Sequence, residues 1–381
     1  MKRTVATFRA VLGALAIIAA AGGVAMSAPD RSHVREIEGL RTAHSLPRTD
    51  RTDGVPPVAV LPHQGQPIAA VPSGDRIVLL ARPTGTTEIV AYTLDASGKL
   101  AGERPTGLRA RGFRVGLTNA PDGTIWAGVG ATLARLLPNG TSGLIRVPPA
   151  QHPLPLSVRG PGPAGLGPVD DGQITSLAVT PGGVLLIGRA GHAEITRFSP
   201  ASATFDTVTF PPEIGDVEQF SVDGSQIVFT VNHSASQLGS LYDVLGAYEV
   251  DSGRVSGFPF RARTVSVSAG RIALAGIDGL TFIEGSALRR VRTQDEYDES
   301  RVALRRDGIA VLRAAGPKNQ VAFVDPSGRE VRREIYQVAV VASPLGGTVP
   351  YASTFVFSVV TADGALWFGL YGSRDIYRFA P

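Results

Sequence analysis

Short apolar runs rich in Val, Ile, Leu and Phe recur along most of this chain, and each follows a polar turn that ends in glycine. The turns are Val71-Pro-Ser-Gly74, Ala120-Pro-Asp-Gly123, Thr180-Pro-Gly-Gly183, Ser221-Val-Asp-Gly224, Ser266-Val-Ser-Ala-Gly270, Arg305-Arg-Asp-Gly308 and Thr361-Ala-Asp-Gly364. The runs after them are Ile77–Leu80, Ile125–Val129, Val184–Ile187, Ile227–Val231, Ile272–Ala275, Ile309–Leu312 and Leu366–Leu370. Glycine takes positive φ without a Cβ clash, so such turns between β-branched and aromatic runs predict hairpins.

A third strand follows in each unit, as in Ile89–Leu94, Leu133–Leu137, Ile195–Phe198 and Val321–Val324, and a short fourth leads onward. No stretch carries the periodicity of a substantial helix. Four strands repeated seven times predict an all-β fold, a seven-bladed β-propeller of four-stranded antiparallel blades. The seventh unit ends at Pro381 after its third strand, while Val55–Leu61 belongs to no unit. Val55–Leu61 is therefore expected to pair with Asp375–Phe379 and close the ring, which also hides an edge open to aggregation.

The first 54 residues break the pattern. Lys2, Arg3 and Arg9 precede an apolar run from Ala10 to Met26, and small residues follow at Ser27 and Ala28. This is the layout of a secretory signal peptide over residues 1–28. A retained membrane anchor is the alternative, because the run approaches the roughly 20 residues that span a bilayer. Residues 29–54 are polar and charged and read as a disordered linker. The propeller is assigned to residues 55–381, with no membrane span after cleavage, and the protein is expected to be secreted or extracytoplasmic, as a monomer.

Charge narrows the function. Three of the 37 basic residues fall in the signal segment, so 34 face 33 acidic residues in the mature chain. The Arg residues are scattered among Asp and Glu, which speaks against a nucleic-acid partner. There is no cysteine, which excludes disulfides, thiol catalysis and thiolate metal sites.

Two units carry a specific likeness. Ala120-Pro-Asp-Gly-Thr-Ile-Trp-Ala127 with Leu133-Ala-Arg-Leu136, and Thr361-Ala-Asp-Gly-Ala-Leu-Trp-Phe368 with Asp375-Ile-Tyr-Arg-Phe379, resemble the repeat of streptogramin B lyases. The same motif is similar to those of NHL-type and gluconolactonase-like propellers. The resemblance implies the fold more than an activity.

The long insertions Val147–Gln173, Asn232–Val244 and Ala342–Thr354 all fall between strands two and three of a blade or between blades. In a propeller those connections share one face, and binding favours loops on a rigid scaffold. His192 and His233 each lie nine residues after their turn glycine, on neighbouring blades of that face. Glu194 follows His192 by two and points the same way in an extended segment. Glu213, Asp216 and Glu218 lie in the next connection, with Asp170 and Asp171 entering from before. His192, His233 and Glu194 are the candidate catalytic residues. Glu213, Asp216 and Glu218 are the candidate ligands for Mg²⁺ or another divalent cation.

Paired histidines on adjacent blades resemble the lyase arrangement, which implies metal-assisted opening of a cyclic ester. A departure is that Val231 and Asn232 precede His233 where that family carries a glutamate. The insertion at 147–173, with His152, reads as a cover for the channel mouth, a partner-binding loop or a plain surface loop. Its Gly160-Pro-Gly-Pro-Ala-Gly165 lacks the strand and helix of a dinucleotide site. Trp126 and Trp367 read as packing between blades. Two functions stay open: a scaffold that binds a small molecule or an extracellular protein through its loop-rich face, and a metal-assisted lyase or lactone hydrolase.

Overall fold

The computed structural model describes residues 54–381 except 111–114, 141, 156–171, 233–244, 259–261, 263, 277–278, 292–296, 315–318, 339, 343–347, 351–354 and 371–372. The predicted signal segment and nearly all of the linker lie outside the described residues.

Seven four-stranded antiparallel sheets form the molecule, with one further two-stranded ribbon. The innermost strands are Gln66–Ser73, Gly116–Asn119, Ile174–Val179, Asp216–Asp223, Thr264–Ser268, Tyr297–Leu304 and Phe355–Val360. Each packs against the innermost strand of the blade on either side, and the last packs against the first, which makes the ring. The predicted fold is the observed one. All seven turn glycines adopt positive φ, from +61° at Gly224 to +88° at Gly308, a region that a side chain makes costly.

Strands of alternating pattern stack here because both faces of each blade are covered. The buried apolar residues fall into seven clusters, one at each blade interface. Trp126 meets Phe198 of the next blade edge-on, with ring centroids 5.8 Å apart. Trp367 packs with Ile77, Leu79 and Tyr92 of the first blade. Both tryptophans thus pack between blades, as their spacing predicts. The described helical residues are single turns, and no helix among the described residues is long and apolar enough to cross a membrane.

The ring closes on an N-terminal strap. Ala59 and Val60 pair with Ile376 and Asp375, flanked by hydrogen bonds from Val58 N–H to Ile376 O and from Leu61 N–H to Arg374 O. The strap does not run as one strand from Val55 to Leu61. Pro56 and Pro57 carry no N–H and break the ladder. Val55 instead bridges Tyr336 in parallel, donating to Ile335 O and accepting from Gln337 N–H. The strap therefore fastens blade six as well as blade seven.

Leu61 is 2% exposed and sits among Ile77, Tyr92 and Trp367 where the last blade meets the first. Leu61→Ala should lower unfolding free energy by about 2–5 kcal/mol. Denaturant titration checks this, and a loss below about 1 kcal/mol would show that closure does not depend on the strap.

Candidate functional site

The innermost strands run from the loop-rich end of the ring to the end that bears the short Gly turns. Side chains of a regular innermost strand project into the two blade interfaces, so its free backbone edge faces the channel. A side chain enters the channel where that geometry is interrupted. Among the described residues five of these strands are interrupted, each near its loop-rich end. The irregularities fall between Pro67 and Ala69, Ile174 and Leu177, Val217 and Gln219, Asp298 and Val302, and Phe355 and Phe357. A bulge leaves a residue without a cross-strand partner and re-aims its side chain. Ile68, Thr175, Glu218, Arg301 and Val356 stand at these breaks, and all line a central cavity of about 740 Å³.

Glu218 is exposed in the cavity, and Arg301 is half-buried in its wall. Arg301 Nε donates to Phe355 O at 3.1 Å, which ties blade six to blade seven. Burial in the ring lowers its pKa, partly opposed by the charge of Glu218. Among the described residues no carboxylate lies within 4.0 Å of this guanidinium.

The predicted cluster around His192 has a different character. His192 is 5% exposed in the connection between the second and third strands of blade three, and its Nδ1 lies 2.9 Å from Ala190 O. Glu194, 1% exposed, accepts through Oε2 from the N–H groups of Gln151 and His152, at 2.9 and 3.0 Å. Arg189, missed from sequence, donates Nε–H to Gly172 O and Nη1–H to Pro148 O, at 2.7 and 3.1 Å. Burial lowers its pKa, and the nearby charge of Glu194 opposes that. Leu154 N–H reaches Gly191 O and Ala193 N–H reaches His152 O. These groups grip both ends of the insertion that starts at Val147. His152 lies in that clamp through its backbone.

Asp216, 6% exposed, accepts from Gly191 N–H at 2.7 Å and so links blade four to the His192 turn. Of the expected site residues the structure thus brings together His192, Glu194 and Asp216, while Glu218 turns into the channel. Glu213 lies in the single turn Pro212–Ile214. His233, Asp170 and Asp171 lie outside the described residues. Among the described residues no group of three or more His, Asp or Glu is placed to hold a metal ion.

Sequence reasoning had faint signals for what it missed. Arg189 is a lone charge closing the apolar run Leu185–Gly188, and Arg301 opens the run Val302–Leu304 just after the acidic stretch Asp295–Glu299. A charge at the end of an apolar strand is ordinary in itself, and only the ring shows which one a cavity surrounds.

No protein-family model matches the chain, and no curated protein does. Solved propellers match its shape. A streptogramin B lyase structure is similar with a TM-score of 0.55 at 14% identity, covering 84% of this chain and 95% of that one. A catalytically inactive virginiamycin B lyase from Staphylococcus aureus, solved with quinupristin, gives 0.57 at 12% identity, covering 86% and 98%. The WD40 domain of Neurospora crassa Pan2 gives 0.57 at 8% identity, covering 87% and 96%. At these identities the likeness shows a streptogramin B lyase-like propeller fold, shared equally with a WD40 domain.

Glu194→Gln removes the charge that holds two backbone N–H groups. It should cost about 1.5–3 kcal/mol and speed proteolytic cleavage within residues 149–171. Unchanged cleavage kinetics would show that the clamp does not restrain the insertion.

Proposed function

We propose that this protein is an exported binding scaffold that takes its ligand or partner at the loop-rich mouth of the channel. One observation carries the reading: the five strand irregularities lie at the same end of the ring as the strand ends from which the three long insertions leave. The opposite end keeps short stereotyped turns. Bulges cluster next to binding sites because they re-aim side chains out of the sheet. A cavity of about 740 Å³ lies within the range of roughly 300–1,000 Å³ typical of small-molecule sites.

Screening a peptide and metabolite library by thermal shift, then mapping each hit by hydrogen exchange, tests this reading. Protection is expected at the connections that begin at Ala110 and Val147 and at the upper ends of the innermost strands. Protection confined to the Gly turns, such as Asp95–Lys99 and Asp325–Arg329, would overturn it. Export is tested by expressing the full chain in a bacterial host. Release of a chain lacking residues 1–28 is expected, and full-length chain held in the cytoplasm would count against it.

A second reading, a metal-assisted lyase or lactone hydrolase, is favoured by His192 standing beside the Asp216 contact on this same face. His192 would act as general base, with Glu213, Asp216 and Glu218 offering oxygen ligands to a hard cation such as Mg²⁺. Thermal unfolding with Mg²⁺, Mn²⁺ or Ca²⁺ against chelator separates the two. An ion at a hundred times its Kd stabilises by about 2.7 kcal/mol. A shift lost in the His192→Ala/His233→Ala double variant supports the enzyme, and no shift with any ion removes it.

A further inference from the structure

The channel wall holds a cation whose surroundings leave it incompletely matched. Arg301 gives one N–H, through Nε, to Phe355 O, and no acceptor among the described residues takes its two terminal nitrogens. Arginine has five donors in a planar fork, and fixing Nε orients the other four. The cavity surrounds this fork, and the bulge between Asp298 and Val302 is what turns it there. A cation inside the ring with no carboxylate within 4.0 Å among the described residues is costly unless something pairs with it.

We infer that Arg301 is the anchor of a ligand site in the channel, taking a small monocarboxylate that also carries an amine or hydroxyl donor. The planar fork suits a carboxylate bidentately. Glu218, exposed in the same cavity, repels a multiply charged anion such as phosphate and accepts from a donor on the ligand. A free peptide C-terminus and a sugar acid share this chemistry. The inference rests on the loop-rich mouth being the binding face and adds the residue and the ligand class.

The test is titration calorimetry on the purified chain with alanyl-alanine, gluconate, alanyl-alanine amide and inorganic phosphate. Binding of the dipeptide or of gluconate is expected, at least tenfold tighter than the amide or phosphate, and which one binds names the source. Arg301→Gln should weaken binding at least tenfold, Arg301→Lys less, and Glu218→Gln should let phosphate compete. Thermal unfolding of each apo variant guards against a folding defect. Because an incompletely paired cation is removed, Arg301→Gln should melt at or above the parent temperature. A melt well below the parent would show that the bond to Phe355 O already compensates the buried charge, leaving no need of a ligand, and would overturn the site. Affinity unchanged in Arg301→Gln would also overturn it, while exchange protection at the rim would leave the binding face standing. No binding by any probe removes the monocarboxylate site without touching a protein-binding role for that face.

Discussion

Seven innermost strands each turn one backbone edge toward the channel, and no strand of their own blade pairs with it. Unpaired N–H and C=O groups in a confined space are costly, and in an open sheet they also invite other chains. This ring answers with side chains from the neighbouring blade. Ser176 accepts from Phe220 N–H, Ser221 from Val267 N–H, Thr264 from Val302 N–H and Ser266 from Leu304 N–H. Carbonyls are met likewise, with Thr175 donating to Val217 O, Arg301 to Phe355 O and Asn119 to Pro72 O. Each bond is worth only about 1 kcal/mol net, but together they set the height and register of one blade on the next.

That belt accounts for the division between a conservative interior and a variable rim. Blade interfaces must be dry and apolar on both sides, so every blade repeats the same buried alternation. The connections at the loop-rich end carry no such duty. Residues can be inserted there as long as the backbone ends are held, which is what Arg189 and Glu194 do for the connection after Val147. Bulges add residues to the strands themselves at that same end, where the belt leaves room.

Two arginines in this fold illustrate how the setting of one chemical group decides its role. Arg189 is 1% exposed, donates to two carbonyls and has Glu194 in its field, so its burial is compensated from within the chain. Among the described residues Arg301 has one carbonyl, and a cavity beside it. Desolvation acts on both, and the difference lies in how many donors the protein itself satisfies.

The fold was legible because its instructions are local. Turn glycines, β-branched runs and the missing fourth strand of the last unit each depend on a few adjacent residues, and they implied seven blades and the closing partner of Asp375–Phe379. Only the break at Pro56 and Pro57, which sends Val55 to blade six, needed the assembled ring. The candidate site was legible in part. Spacing put His192 and Glu194 on the loop-rich face and set Asp216 beside them. That Glu194 holds backbone N–H groups 43 and 42 residues away follows from no local pattern. Arg301 was invisible for the same reason. A bulge is a mismatch between two strands, and facing a cavity is a relation among seven, so neither is encoded in the residues that flank it. Local sequence decided which strands exist and what turns join them. The ring alone decided which polar side chains spend their hydrogen bonds on the protein and which ones face the channel.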